Sequence, residues 1–183
     1  MSDTALLLKA LHFAAEKHRR QRRKGPDRSP YINHLIAVAE LLVRVGRVKD
    51  PVVLVAAILH DAIEDTKTRP KEIQKHFGAN VRRIVQELTD NKRLGKAKRK
   101  QLQVEQARYL SSRAKMVKLA DKTCNVLDMT RHPPTRWSHA RRLKYLDWSE
   151  QVVAGCRGTN AALERCFAAA LAAGRRSLAA TRA

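Results

Sequence analysis

Cysteine is scarce in this chain. Its 183 residues contain three, Cys124, Cys156 and Cys166, and no two form a CxxC pair. An odd set at those spacings excludes a disulfide framework and a cysteine zinc site as readings. Aromatic residues are also few, at 4%. Ala, Leu and Val must therefore do most of the packing, which favours helices. No apolar run approaches the ~20 residues of a membrane-spanning helix, so no membrane association is expected. The start, Met1-Ser2-Asp3-Thr4, lacks the charged region and cleavage site of a secretory signal. With unpaired thiols, this makes a reducing cytoplasmic location the expectation. Acidic residues are the last shortage: 17 Asp and Glu stand against 38 Lys and Arg, a formal charge of +21. Such a surplus implies anionic partners, whether phosphorylated small molecules, nucleic acid or acidic surfaces.

What is present is a helical pattern. Hydrophobic content of 44% over 183 residues fits one domain that buries roughly 70% of its unfolded surface. Residues 4–20 carry Leu7, Leu8, Leu11, Ala14 and Ala15 at helical spacing, with Thr4 or Asp3 as the expected cap. Ser29-Pro30 predicts a second start, Ser29 as N-cap and Pro30 in the first turn. Its apolar face is Leu35, Val38, Ala39, Leu42 and Val45. Asp50-Pro51 opens the unbroken run from Val52 to Leu59, predicted to be a central helix buried on most sides. Further helices are predicted over residues 70–77, stopped by Gly78, and over 79–88, 104–128, 138–154 and 158–173. Residues 91–100, with six basic side chains, read either as a solvated loop or as a positive flap over an anionic ligand. The expected domain is residues 1–174. A disordered basic tail is expected over 175–183.

Chemistry concentrates where the central run ends, at Leu59-His60-Asp61-Ala62-Ile63-Glu64-Asp65. If the helix continues, Glu64 lies one turn beyond His60 and Asp65 one turn beyond Asp61. An imidazole beside three carboxylates at the end of a buried segment is costly without compensation. A divalent cation would supply it, since imidazole and carboxylate suit Zn, Mn, Fe or Ni. An isolated His-Asp dipeptide is common, and a solvated helix end is its ordinary meaning. A second stretch, Val117-Lys118-Leu119-Ala120-Asp121-Lys122, continues to Asn125 and Asp128. On a helix, Asp121, Asn125 and Asp128 make a polar stripe in apolar surroundings, which implies a network or a ligand. His34 stands one residue before Leu35, near the buried face. Alone it reads as a hydrogen-bonded core residue. Taken together, His34, His60, Asp61 and Asp121 could hold one metal between three helices.

The ordered set of motifs resembles the HD-domain phosphohydrolases. More narrowly, it is similar to the small alarmone hydrolases related to the hydrolase domain of RelA/SpoT proteins. The matching pieces are His18-Arg19-Arg20-Gln21-Arg22-Arg23-Lys24, Pro30-Tyr31-Ile32-Asn33-His34, residues 59–66, Phe77-Gly78, residues 117–122 and 125–128. The resemblance implies a single-domain all-α bundle of about ten helices and one Mn²⁺ per chain, other divalent ions being compatible. It assigns the metal to His34, His60, Asp61 and Asp121, and water positioning and activation to Glu64 and Asp65. It assigns substrate contacts to Arg23, Lys24, Tyr31, Asn125 and Tyr145. The implied reaction removes the 3′-pyrophosphate of ppGpp or pppGpp, giving GDP or GTP and pyrophosphate. The loop over residues 25–29 departs from the family pattern, which bears on base recognition. Two alternatives are an HD-type enzyme for another nucleotide, such as NADPH or a 5′-nucleotide, and a basic helical nucleic-acid module. Specific nucleic-acid binding is not expected: Trp137, Tyr145 and Trp148 are the only aromatic residues noted near basic ones, and no helix-turn-helix or zinc-knuckle pattern is present. Homo-oligomerisation is left open.

Overall fold

The computed structural model describes residues 1–180. Among these the chain forms ten α-helices, one short 3₁₀ turn at Ala107–Tyr109, and no strand. In chain order the helices are α1 (Asp3–His18), α2 (Ile32–Arg44), α3 (Pro51–Leu59), α4 (Ala62–Asp65), α5 (Pro70–Phe77), α6 (Ala79–Leu88), α7 (Lys96–Gln106), α8 (Ser112–Arg131), α9 (His139–Ala154) and α10 (Ala161–Ala180). The all-α expectation and the helix number hold.

Helix α3 is the axis. Every side chain from Val53 to Leu59 is buried. Asp50 caps it through a 2.9 Å bond from Val52 N, and Pro51 occupies the first turn, as expected. Helices α1, α2, α6 and α8 pack around it, and α10 packs along α8. Val81, Ile84, Val85 and Leu88 of α6 are all buried, as their spacing implied. Gly78 stops α5 with φ 89°, a left-handed conformation that glycine adopts without strain.

Several boundaries differ from expectation. Ser2, not Thr4 or Asp3, caps α1 by accepting from Ala5 N. Ser29 does not cap α2: its carbonyl accepts from Arg23 N at 2.9 Å, while Tyr31 N donates to Gln21 O at 3.1 Å. These bonds close residues 22–30 into a hairpin-like loop, and α2 begins only at Ile32. The stretch 104–128 is broken after Gln106, and Ser111 caps a fresh helix by accepting from Ala114 N. Residues 96–100 are helical rather than loop. Helix α10 continues through Gly174, where a disordered tail was expected. A Cβ at Gly174 would stand 2.9 Å from Thr130 Oγ1 and 3.3 Å from Leu146 Cδ2, so the glycine lets α10 approach α8 and α9 closely. Arg175 then pairs with Asp147 and Glu150, and Leu178 is buried. Tertiary packing outweighs the ~1 kcal/mol helix penalty of one glycine. The remainder of the expected tail, residues 181–183, lies outside the described residues.

The end of α9 touches the 3₁₀ turn at Gly155, where a Cβ would meet Ala107 Cβ at 2.7 Å and Arg108 N at 2.8 Å. One of those contacts is backbone and cannot rotate away. Gly155→Ala is therefore expected to lower stability by about 1–3 kcal/mol through overpacking, read as a lower urea midpoint. An unchanged midpoint would show that the contact relaxes freely.

Candidate functional site

The centre forms where α3 stops. His60 follows its last residue, and Asp61 leaves the ideal helix with φ −95° and ψ −2° before α4 begins. The expected continuous helix is thus interrupted at the His-Asp pair, and His60 meets Asp61 rather than Glu64. His60 Nδ1 lies 2.7 Å from the Ala57 carbonyl. A carbonyl only accepts, so Nδ1 carries a proton and Nε2 is the nitrogen left to meet a metal ion or a second proton. That nitrogen is buried without a hydrogen-bond partner. It faces Asp61 Oδ2 at 3.1 Å and Asp121 Oδ1 at 3.6 Å. Helix α2 brings His34 Nε2 to 3.2 Å from the same Asp121 oxygen. His34, His60 and Asp121 each offer a ligand atom within 4.8 Å of the other two.

These atoms are all electron-rich and lie in a dry setting. A neutral imidazole lone pair aimed at two carboxylates is repulsive unless a positive charge sits between them. The protonation equilibria say the same. Burial alone would lower the His60 pKa, yet Asp61 and Asp121 raise it to about 10. Burial keeps His34 below its ordinary value despite its contact with Asp121. The donors therefore fit a divalent cation held by imidazole nitrogen and carboxylate oxygen. Asp61 adjoins this trio and is fixed from outside it: Tyr31 Oη donates to Asp61 Oδ2 at 2.6 Å. Asn125 Nδ2 likewise donates to Asp121 Oδ1 at 2.6 Å. Such outer partners orient ligating groups.

Glu64 and Asp65 stand on α4, one turn past the break. Glu64 accepts from Asp90 N at 3.1 Å and faces Arg99 at 3.5 Å. Burial raises its pKa. Asp65 accepts from Gln21 Nε2 at 2.8 Å and pairs with Lys92. His18 completes this relay with Nδ1 2.6 Å from Gln21 Oε1, its ring stacked on Tyr31.

Two adjoining cavities, about 410 and 290 Å³, share Lys24, Tyr31, Asp65, Asn125, Trp137 and Tyr145 as a common wall. The larger is bounded by the 22–30 loop, Met129 and the ends of α8 and α9. The smaller contains His60, Asp61, Glu64 and Asp121. Of the residues predicted to touch substrate, Lys24, Tyr31, Asn125 and Tyr145 line both cavities. Arg23 lines only the larger and is already engaged, donating to Asn125 Oδ1 at 2.8 Å and to Asp128 Oδ2 at 2.6 Å. Asp128, first read as part of a polar stripe, is thus Arg23's anchor.

The reading by motif did not gather Lys118 and Lys122 into the site, while the positive flap it offered over residues 91–100 corresponds to Lys96, Arg99 and Lys100. Lys96, Arg99 and Lys100 of α7 and Lys118 and Lys122 of α8 all line the smaller cavity. Their signal was available: Lys118 and Lys122 are one turn apart in an apolar helix, and 96, 99 and 100 share a helical face. Trp148, read from sequence only as an aromatic residue near basic ones, meets both lysine sets, with Lys100 and Lys122 each over its ring.

Fold and site together define a class: an all-helical domain with a mixed imidazole–carboxylate metal centre at the floor of a cation-lined cleft. A family model described as HD domain matches residues 10–146. The chain is 54% identical over 166 residues to the guanosine-3′,5′-bis(diphosphate) 3′-pyrophosphohydrolase MESH1 of Homo sapiens, covering 91% of this chain and 93% of that protein. It is 46% identical over 161 residues to the MESH1 of Drosophila melanogaster, with 88% and 90% covered. The solved structure of a metazoan ortholog of SpoT that hydrolyzes ppGpp superposes with a TM-score of 0.90 at 44% identity, covering 95% of this chain and 97% of that one. The chain belongs to the HD-domain family, in its MESH1-like group.

The geometry predicts that His60→Ala and Asp121→Ala each lose a bound divalent ion, measured by metal analysis after dialysis. Tyr31→Phe removes only the outer bond to Asp61, so metal affinity is expected to fall by about 10–100-fold. Full metal occupancy in Asp121→Ala would break the ligand set.

Proposed function

We propose that this protein is a (p)ppGpp 3′-pyrophosphohydrolase that works with one Mn²⁺ per chain. The observation that carries the reading is the cluster of His34, His60 and Asp121, with Asp61 beside it, opening onto a cavity rich in Lys and Arg. The named activity of the MESH1 relatives supports it, and so does the printed activity of the SpoT ortholog. In this reading His34, His60, Asp61 and Asp121 hold the ion. A bound divalent ion acidifies a coordinated water and polarises a phosphoryl oxygen.

The chain's own residues account for the rest. Glu64 is the general base: burial raises its pKa toward working pH, where proton transfer is most effective. Asp65, held by Gln21 and Lys92, orients the attacking water. Water adds to the phosphorus nearest the ribose, and the bond from that phosphorus to the 3′-oxygen breaks. The water's proton passes to Glu64 and from there to the departing 3′-oxygen, which leaves as a hydroxyl, giving GDP or GTP and pyrophosphate. The larger cavity takes the nucleoside, with Tyr145 and the Arg23–Tyr31 pair as flat surfaces; the Arg23 guanidinium lies 5.5 Å from the Tyr31 ring centre. Lys24, exposed on the rim of both cavities, meets the phosphates. Asn125 ties the two halves together, since it binds both Arg23 and Asp121.

The test is pyrophosphate release from ppGpp by protein loaded with Mn, Co or Mg, run beside NADPH and a 5′-nucleotide. Release from ppGpp in preference to the others is expected; none with any ion overturns the assignment. Glu64→Gln is expected to retain metal and lose about 10²–10⁴-fold in kcat. Because the base must be ionised, kcat should fall as pH drops through the Glu64 pKa. That fall should lie above the ordinary carboxylate range and vanish in Glu64→Gln. An acid limb that persists unchanged in the variant would remove Glu64 from the role.

A further inference from the structure

The smaller cavity holds more positive charge than its carboxylates can balance, and a divalent ion would widen the excess. Asp61, Glu64, Asp65, Asp90 and Asp121 supply its negative charge. A divalent ion among the ligands leaves three of those five charges to meet seven cations lining the same space. The imbalance is concentrated at one end. Lys118 is 8% exposed and Lys122 5% exposed, so both ammonium stems are buried in the wall of the cavity. Lys118 is in no ion pair or hydrogen bond among the described residues; the charge that acts on it most strongly is that of Lys122, a repulsion, ahead of the attraction of Asp121, Asp90 and Asp61. Lys122 reaches Asp121 Oδ2 at 3.5 Å, and its Nζ stands 4.3 Å from the Trp148 ring centre. Lys100 Nζ lies 4.4 Å from the same ring.

The Trp148 ring therefore meets a lysine from each of two helices. Its indole Nε1 donates to the Lys100 carbonyl at 3.0 Å, which fixes α7 against α9 and holds Lys100 toward the cavity. Burying lysines together without a carboxylate for each is unfavourable in the free protein. Burial and mutual repulsion lower the pKa of Lys100 and of Lys118. An anion with several oxygens relieves both costs at once, and ammonium groups are suited to that as point charges.

We infer that Lys100 and Lys122, which share the Trp148 ring, together with Lys118 one turn before Lys122, form a second phosphoryl subsite that takes the terminal phosphate of the scissile 3′-diphosphate and keeps it in the pyrophosphate product. The inference rests on the proposed reaction for the identity of its ligand. Position selects this phosphate over those at the 5′ end. Lys122 reaches Asp121 Oδ2 at 3.5 Å, so the subsite directly adjoins the metal centre. The ribose 5′ position must instead follow the nucleoside into the larger cavity. The subsite makes the enzyme selective for a 3′-diphosphate over a 3′-monophosphate, because only the former has a group to fill it.

The experiment uses the full chain and two variants, Lys118→Met and Lys100→Gln. Lys118→Met keeps the length of the buried stem; Lys100→Gln is a milder change at a half-buried position of α7 that leaves the carbonyl bond to Trp148 in place. Binding of inorganic pyrophosphate, orthophosphate and GDP is measured by calorimetry with and without Mn²⁺, alongside kcat and KM. Each variant is expected to weaken pyrophosphate binding at least 10-fold and change GDP binding less than 2-fold, with metal content unaltered. Weakened GDP binding with unchanged pyrophosphate binding would assign the lysines to the 5′ end and overturn the inference. Equal losses for all three ligands would also overturn it. Absence of ppGpp turnover in the parent protein would strike the proposed reaction, while the pyrophosphate calorimetry would still read the lysine subsite on its own.

Discussion

One carboxylate oxygen, Asp121 Oδ1, is the point on which the site depends. Asn125 donates to it at 2.6 Å, while the Nε2 atoms of His34 and His60 face it at 3.2 and 3.6 Å. These groups come from α2, from the end of α3, and from α8. Removing water from such a set is costly, and attraction within it repays that cost only if a positive charge occupies the centre. The helices on either side are bound to each other by apolar packing, so the donors cannot drift apart to relieve their repulsion. The hydrophobic bundle thus holds a polar centre in a state that a cation completes.

A second layer of order follows from that centre. Tyr31 fixes Asp61, and Asn125 fixes Asp121 while accepting from Arg23. The hairpin-like loop over 22–30 is joined to α8 through the Arg23–Asp128 pair. Metal ligands and cleft wall therefore share hydrogen bonds. Disturbing the loop is felt at Asp121 through a single intermediate side chain. On the other side, Arg99 of α7 faces both Glu64 and Asp90, so the helix that brings positive charge to the cleft also borders the base.

The large positive charge divides into two kinds by burial. Arg44 pairs with Glu40 on the surface, where such a contact contributes about 0–1 kcal/mol. Lys118 and Lys122, by contrast, are buried around a cavity with too few carboxylates. Net charge taken from composition cannot separate these classes. Only the second carries chemical information, because water has been removed from around it.

Local signals determined much of the molecule. The Asp50-Pro51 start, the all-apolar α3, the buried face of α6 and the Gly78 stop follow from capping chemistry, periodicity and backbone freedom. The types of side chain at His34, His60, Asp61 and Asp121 already pointed to a divalent ion, since few other partners suit that mixture. Tertiary structure decided what depends on distant neighbours. The hairpin bonds of Arg23 and Tyr31 moved the start of α2 from Ser29-Pro30 to Ile32. Contact with Thr130 and Leu146 kept α10 helical across Gly174. The break after Leu59 turned His60 toward Asp61 instead of Glu64. The lysines of α7 and α8 became one group only when Trp148 of α9 brought Lys100 and Lys122 to the same ring. A residue's type is written in the chain, but the charge beside it and the water excluded from it are properties of the folded bundle.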